Sequence, residues 1–341
     1  MRALRFEQWG EMPRMRDVGV RAPGRGEVLL RVSAAGVCHS DLRLVGGEVA
    51  RAVSFAPPFT LGHETAGEVV ETGAGVTTFA PGERVAVYGP IGCGVCGWCA
   101  AGAQNHCDRR SEVAAVGVGL GVDGGMADHL TVGANRLVAI GGLDPVAAAV
   151  LTDAGLTTYH SVTRVSLGPE PVAVVIGVGG LGHLAVQLLQ ECTPARVVAV
   201  DRRPEAADLA RAAGADVAVS SLGDLPEVLR DMGHQADAVF DLVVTSETLG
   251  AAASILRPGG ELVMVGGGGG VLELGRLGRL PFGARASTPF WGTMGELRQV
   301  LDLAARGSLD VHAVTYPLDE AARAFTDLAE GKVLGRAVLI P

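Results

Sequence analysis

Four of the chain's six cysteines fall within one stretch, IGCGVCGWCAAGAQNHC: Cys93, Cys96, Cys99 and Cys107, spaced C-x2-C-x2-C-x7-C. Thiolates this close in sequence can close tetrahedrally on a zinc ion, and four protein ligands leave no position for a substrate, so such a site is structural. Ferredoxins share the first spacings, but there three residues and a proline-flanked cysteine follow. Here seven residues intervene and Asp108 follows Cys107. A second signature is GVGGLG, with Gly177, Gly179 and Gly182 in G-x-G-x-x-G register and Gly180 and Leu181 between them. The motif follows the apolar run PVAVVIG and opens GLGHLAVQLLQEC, the strand–turn–helix setting that dinucleotide binding requires. Gly177 permits the tight turn, Gly179 lets a pyrophosphate approach the backbone, and Gly182 lets the helix pack on the strand. The helix N-terminus then faces the phosphates. Asp201 ends the next strand, 19 residues after Gly182, where a carboxylate accepts hydrogen bonds from the adenosine ribose and repels the 2′-phosphate of NADP. NAD is therefore expected over NADP, with Arg202 and Arg203 standing next in line as cations that could serve a 2′-phosphate.

Three further residues are dispersed: Cys38 in GVCHSD, His63 in LGHETAGEV and Asp153 in LTDAGLTTYH. Singly, each has an ordinary reading. A cysteine can be a small core residue, a histidine a hydrogen-bonded core group, and an aspartate a helix cap.

The elements that must position these groups fall into two rhythms. Up to about residue 150 the chain reads as short strands joined by Gly/Pro turns, with strand-like alternation in GEVLLRV and GERVAVY. From about Asp153 strands and helices alternate: PVAVVIG, the fingerprint helix, ARVVAVD, a helix opened by Pro204 and closed by Gly214, ADAVFDLV, ETLGAAASILR and GELVMVG. That alternation predicts a doubly wound parallel sheet. The tail carries two amphipathic helices and a last strand, GRAVLIP. The expected division is 1–152, 153–289 and a return to the first domain over 290–341.

Bulk properties narrow the function class. The 341 residues are 48% hydrophobic and 19% charged, enough apolar material for a sizeable core and against disorder. A net charge of -9 without any Lys/Arg block speaks against a nucleic-acid surface, and so against a zinc-ribbon nucleic-acid binder. The N-terminal MRALRFEQWGE has no apolar signal segment, and the longest apolar stretch is interrupted by glycines and His183. A cytoplasmic protein is expected, and there four close cysteines favour metal over disulfides.

In order along the chain, GVCHSD, GHETAGEVVETGAGVTTFAPGERVAV, the four-cysteine lobe, GVGGLG and Asp201 resemble the zinc-dependent medium-chain alcohol dehydrogenases. The YGPIGCGVC and LTDAGLTTYH stretches are similar in particular to the bacterial NAD-dependent secondary-alcohol dehydrogenases. The resemblance implies a GroES-like, strand-rich catalytic domain and a Rossmann domain, with the active site in the cleft between them. It implies two zinc ions per chain, one catalytic and one structural, and NAD as the cofactor. Cys38, His63 and Asp153 then correspond to the catalytic zinc ligands, Asp153 standing where many members carry cysteine. Glu64 resembles the glutamate that can enter the metal's shell, Asp41 the partner that sets the His63 tautomer, and Ser40 the hydroxyl of the proton relay. Where one branch ends that relay with histidine this chain has Arg43, which cannot act as a base. His39 and Arg336 resemble pyrophosphate contacts. Phe290 and Trp291 in STPFWGT match positions lining the substrate site, with Arg43, Phe55 and Leu120 as further pocket candidates. The implied activity is hydride transfer between NAD and small to medium secondary alcohols, primary alcohols included. A specialised polyol, amino-alcohol or terpenoid-alcohol dehydrogenase is the alternative. Family members assemble as homodimers or homotetramers.

Overall fold

The computed structural model describes residues 1–341 except 49, 51, 52, 54 and 277. They form two compact units: Met1–Leu156 with Trp291–Gly307 and Ala313–Pro341, and Thr157–Phe290 with Ser308–His312.

In the first unit, the strand Glu27–Val37 organises the main sheet. Its EVLLRVSAAGV sequence buries nearly every position. It pairs antiparallel with Glu64–Thr72, His129–Gly133 and the C-terminal strand Arg336–Ile340. Register decides what meets at its end. Gly36 lies opposite Glu64, and Val37 opposite Ala337. Antiparallel pairing therefore brings Cys38, His63 and Arg336, far apart in sequence, to one edge of the sheet. Beneath, Val28, Leu30, Val32, Val69, Val85 and Leu130 pack into one core. At roughly 25 cal/mol per Å² of buried apolar surface, that core stabilises the sheet that carries them.

The helix Pro145–Val150 starts at Asp144, whose carboxylate accepts the Ala147 N–H at 3.2 Å, with Pro145 in the first turn. It packs on the strands Glu27–Val37 and Glu64–Thr72 and widens into a π-helical turn, Leu151–Gly155, before continuing as Leu156–Val162. Single π turns recur at functional sites because they re-aim a side chain without ending the helix; here the side chain is Asp153. The first boundary thus falls after Leu156 rather than after residue 152, and Asp153 belongs to the first unit. No turn residue marks the place, because a helix runs through it. The five-residue excursion Ser308–His312 into the second unit also differs from the expected continuous return.

The second unit is a parallel sheet of six strands in the spatial order Val217–Val219, Arg196–Val200, Val172–Ile176, Ala236–Asp241, Leu256–Met264, Arg285–Ser287. Counted along the chain this is 3-2-1-4-5-6, the Rossmann order. Val172–Ile176 is buried at every position, as expected of a central strand covered on both faces. The fingerprint helix, Gly182–Cys192, buries Leu184, Ala185, Leu188 and Leu189. The helix Pro204–Ala212 begins at its proline and gives way to Gly214 at φ +100°. Among the described residues no helix is long and apolar enough to cross a membrane.

Candidate active site

Cys38 caps the short helix His39–Val45, and Asp41 in that helix's first turn accepts the Cys38 N–H at 2.9 Å. Asp41 is fully buried, and its other carboxylate oxygen lies 3.3 Å from Nδ1 of His63. Among the described residues neither of those two atoms has another hydrogen-bond partner. One carboxylate thus fixes the backbone of Cys38 and faces the ring of His63. With Nδ1 turned to Asp41, Nε2 is the nitrogen presented to the cluster. It lies 3.4 Å from Ser40 Oγ, 3.6 Å from Asp153 and 3.9 Å from Glu64. Ligand atoms of Cys38, His63, Glu64 and Asp153 all lie within 4.8 Å of one another. Sulfur, imidazole nitrogen and carboxylate oxygen at that closeness form a donor set that fits zinc.

Arg336 opens the C-terminal strand with its guanidinium buried. It donates to Glu64 through Nε at 3.1 Å and again through an Nη2, and lies 3.4 Å from Asp153. Resemblance makes it a pyrophosphate contact; in this structure its partners are the two carboxylates of the cluster. Glu64 itself occupies space left by Gly36, where a Cβ would overlap its carboxylate. Burial disfavours ionisation of Cys38, yet the charge of Arg336 and a hydrogen bond with His63 hold its thiol below the usual pKa. Burial likewise opposes protonation of His63. The Asp41 charge and hydrogen bonds with Asp153, Asp41 and Cys38 outweigh it and raise the imidazole well above its usual pKa.

Trp291 stands at the wall. Its ring centroid is 5.8 Å from that of His63, at 79°, and the residue is buried. The indole rests where Cβ atoms on Gly89 and Gly117 would lie 3.0 and 2.7 Å from it. Its φ of +50° is a left-handed conformation, worth about 1 kcal/mol or more of strain for a bulky residue. The next residue is anchored, since Tyr88 Oη donates to the Gly292 carbonyl at 2.8 Å. The other pocket candidates separate. Phe55 belongs to an aromatic cluster with Trp9 and Phe59, and Leu120 packs on the same core. Arg43 pairs with Glu48 at 3.1 Å on a half-exposed face, while His39 is exposed and Phe290 is 41% exposed in the second unit. Gly36, Tyr88, Gly89 and Gly117 were not legible as site residues, because only the fold reveals what each leaves room for or ties down.

In the lobe, Cys93, Cys96, Cys99 and Cys107 bring their sulfurs within 4.8 Å, and none is in a disulfide. The Cys93 and Cys99 sulfurs are 4.0 Å apart, against about 2.05 Å in a disulfide. Backbone N–H groups aim at the sulfurs: Cys93 to Cys107 at 3.3 Å, Cys96 to Cys93 at 3.3 Å, Cys99 to Cys96 at 3.5 Å. Amides of Cys99 and Asp108 hold the Cys96 thiol down at about 6, whereas burial pushes Cys99 up to about 12. A Cβ on Gly92 would lie 2.5 Å from the Cys99 sulfur, so only glycine admits the loop. Arg110, unremarked in the sequence, closes the lobe by donating to the carbonyls of Ile91 at 2.6 Å and Gln104 at 2.7 Å.

In the second unit the glycines have distinct reasons. Gly177 has φ +91°, and a Cβ on Gly182 would overlap the Gly177 carbonyl. Over Gly179 a Cβ would meet only the Arg203 guanidinium, at 3.9 Å. This is the strand–turn–helix backbone in which dinucleotide-binding glycines stand, with Gly180 and Leu181 completing the turn. Asp201 accepts the Val178 N–H at 2.8 Å, the Arg203 N–H at 3.0 Å and Arg203 Nε at 3.2 Å. Burial opposes its ionisation, but the Arg203 and Val178 hydrogen bonds hold its pKa low. The two cations named in the sequence therefore differ. Arg203 folds onto Asp201, while Arg202 is exposed.

A strand-rich unit with a thiol–imidazole–carboxylate cluster, joined to a Rossmann unit, defines the class of metal-associated nicotinamide-dependent oxidoreductases. The alcohol dehydrogenase GroES-like domain matches residues 24–142, and the zinc-binding dehydrogenase domain matches residues 180–306. The chain belongs to the zinc-type medium-chain alcohol dehydrogenase family. It is 34% identical to an NAD-dependent alcohol dehydrogenase of Sulfurisphaera tokodaii, over the whole of both chains. It is 32% identical to D-arabinose 1-dehydrogenase (NADP(+)) of Saccharolobus solfataricus, over all of this chain and 97% of that one. The acetophenone reductase of Geotrichum candidum, solved with NAD, superposes at a TM-score of 0.87 with 31% identity, over all of this chain and 97% of that one.

Proposed function

We propose that this alcohol dehydrogenase interconverts small to medium secondary alcohols and ketones, with primary alcohols in its range, using NAD and two zinc ions per chain. The observation that carries the reading is the meeting of Cys38, His63 and Asp153 within 4.8 Å, beside the buried Trp291. Those three residues would hold the catalytic zinc, and the four-cysteine lobe the structural one. Bound there, zinc supplies a Lewis acid for the substrate oxygen, and NAD supplies the hydride acceptor.

The chain's own residues do the rest. Asp41 keeps the proton on Nδ1 of His63 and so leaves Nε2 as the lone pair facing the cluster. One thiolate and one carboxylate balance a dication as two thiolates would, and the carboxylate makes the donor set harder. Ser40, its hydroxyl 3.4 Å from Nε2, is placed to pass on the alcohol proton. Arg43, whose guanidinium has no acceptor and is paired with Glu48, does not end that relay. Trp291 presents an apolar wall to the carbon side of the substrate. Asp201, held ionised, accepts the ribose hydroxyls and disfavours a 2′-phosphate. The protein is expected to work in the cytoplasm as a homodimer or homotetramer.

A second reading, a polyol dehydrogenase using NADP, is favoured by the relationship to D-arabinose 1-dehydrogenase (NADP(+)). Turnover across secondary alcohols, primary alcohols, ketones and polyols, each with NAD and with NADP, separates the two. The highest kcat/KM is expected for a secondary alcohol with NAD. A preference for sugars with NADP would replace the first reading by the second.

A further inference from the structure

His183 lies one residue beyond the glycine fingerprint, on the helix Gly182–Cys192, and is buried. No step above uses it. Its Nδ1 lies 2.9 Å from the Gly179 carbonyl, and its Nε2 lies 3.2 Å from the backbone N of His312. The two bonds require one neutral tautomer: Nδ1–H donates to Gly179, and Nε2 accepts from the His312 N–H. Burial lowers the imidazole pKa to about 4, in keeping with a neutral ring.

His312 closes Ser308–His312, the short strap that belongs to the second unit while its flanking helix, Met294–Ala305, and strand, Ala313–Pro317, belong to the first. Positions 183, 187 and 191 succeed one another at helical spacing on one face, and each holds the strap. Gln187 bonds the Asp310 backbone reciprocally, donating to its carbonyl at 2.9 Å and accepting its N–H at 2.7 Å. Ser308 Oγ donates to Glu191 at 3.3 Å. Of the three, only His183 also touches a glycine over which the pyrophosphate is expected to lie.

We propose that His183 is a positioning residue that sets the Gly179 peptide for the dinucleotide and ties it to the Ser308–His312 strap, so that cofactor binding and strap order are coupled. This rests on the reading of the fingerprint as an NAD site. Coupling of this kind is reciprocal: whatever stabilisation NAD gives the strap, the strap returns to NAD affinity.

Hydrogen exchange of the 308–312 amides, read by mass spectrometry with and without NAD, tests it alongside NAD titrations by calorimetry. In the wild-type protein NAD is expected to slow exchange of the strap about tenfold. His183→Asn retains a donor for Gly179 and loses the strap, and His183→Gln retains an acceptor for His312 and loses Gly179. Each is expected to weaken NAD binding about tenfold and to remove the NAD-dependent protection, with kcat at saturating NAD within about twofold of wild type. NAD binding by the wild-type protein with no change in strap exchange would overturn the coupling, whatever the variants do. So would variants that bind NAD and protect the strap as the wild type does. Absence of NAD binding by the wild-type protein would instead refute the fingerprint reading on which the proposal rests.

Discussion

Asp41 does two things with one carboxylate: it holds the Cys38 backbone and faces the His63 ring. Asp41→Asn keeps an acceptor but loses the charge, and a change in such an outer partner typically costs about 10–100-fold in metal affinity or activity. A loss of that size in kcat, with NAD affinity unchanged by calorimetry, is the expected outcome. Cys38→Ala removes the only sulfur of the cluster. It should abolish turnover and lower the zinc content by one per chain while NAD still binds; retained oxidation of alcohols would contradict the assigned role. At this scale the sequence was informative about residue type and less about partners. Cys38, His63, Glu64 and Asp153 were all named, and they meet. The contact of Arg336 with Glu64 and Asp153 was not legible, because it depends on a strand register that no local pattern records.

At the scale of elements, the four-cysteine lobe and the strand edge behave differently. The lobe's ligands are local, from Cys93 to Cys107, so the motif alone was enough to place them together. Cys96→Ser should remove the structural zinc and lower Tm by roughly 5–10 °C, equivalent to about 3 kcal/mol in a unit of this size. Full stability with only catalysis lost would reverse that assignment. The strand edge has no such motif. Gly36→Ala would drive a Cβ into the Glu64 carboxylate, an overpacking expected to cost about 1–3 kcal/mol. Denaturant unfolding should show it as a lower midpoint at unchanged slope, with activity reduced because Glu64 and Arg336 shift together.

For the whole molecule, His183 carries the pH prediction. The folded ring titrates at about 4 against an ordinary 6.5, so below pH 6.5 the unfolded chain takes up a proton that the native ring refuses. Stability is fully present above 6.5 and falls as pH drops toward 4, by up to about 3 kcal/mol. His183→Gln should flatten that part of the stability profile; an unchanged profile would remove His183 as its source. The boundary after Leu156 was not legible in the sequence because a helix crosses it, and the turn at Gly307 does not tell which unit the strap that follows joins. What the sequence alone determined was whatever is local: the thiolate lobe, the glycine fingerprint with its acid, and the strand–helix rhythm of a Rossmann sheet. Those depend on spacing along the chain and on periodicities of two and 3.6 residues. The tertiary structure decided what depends on distance through space. Antiparallel register and one π turn bring Cys38, His63 and Asp153 together, Trp291 stands against His63, and Arg336 turns inward. Such meetings are long-range contacts, fixed only when the sheet's hydrophobic core chooses one register over all others.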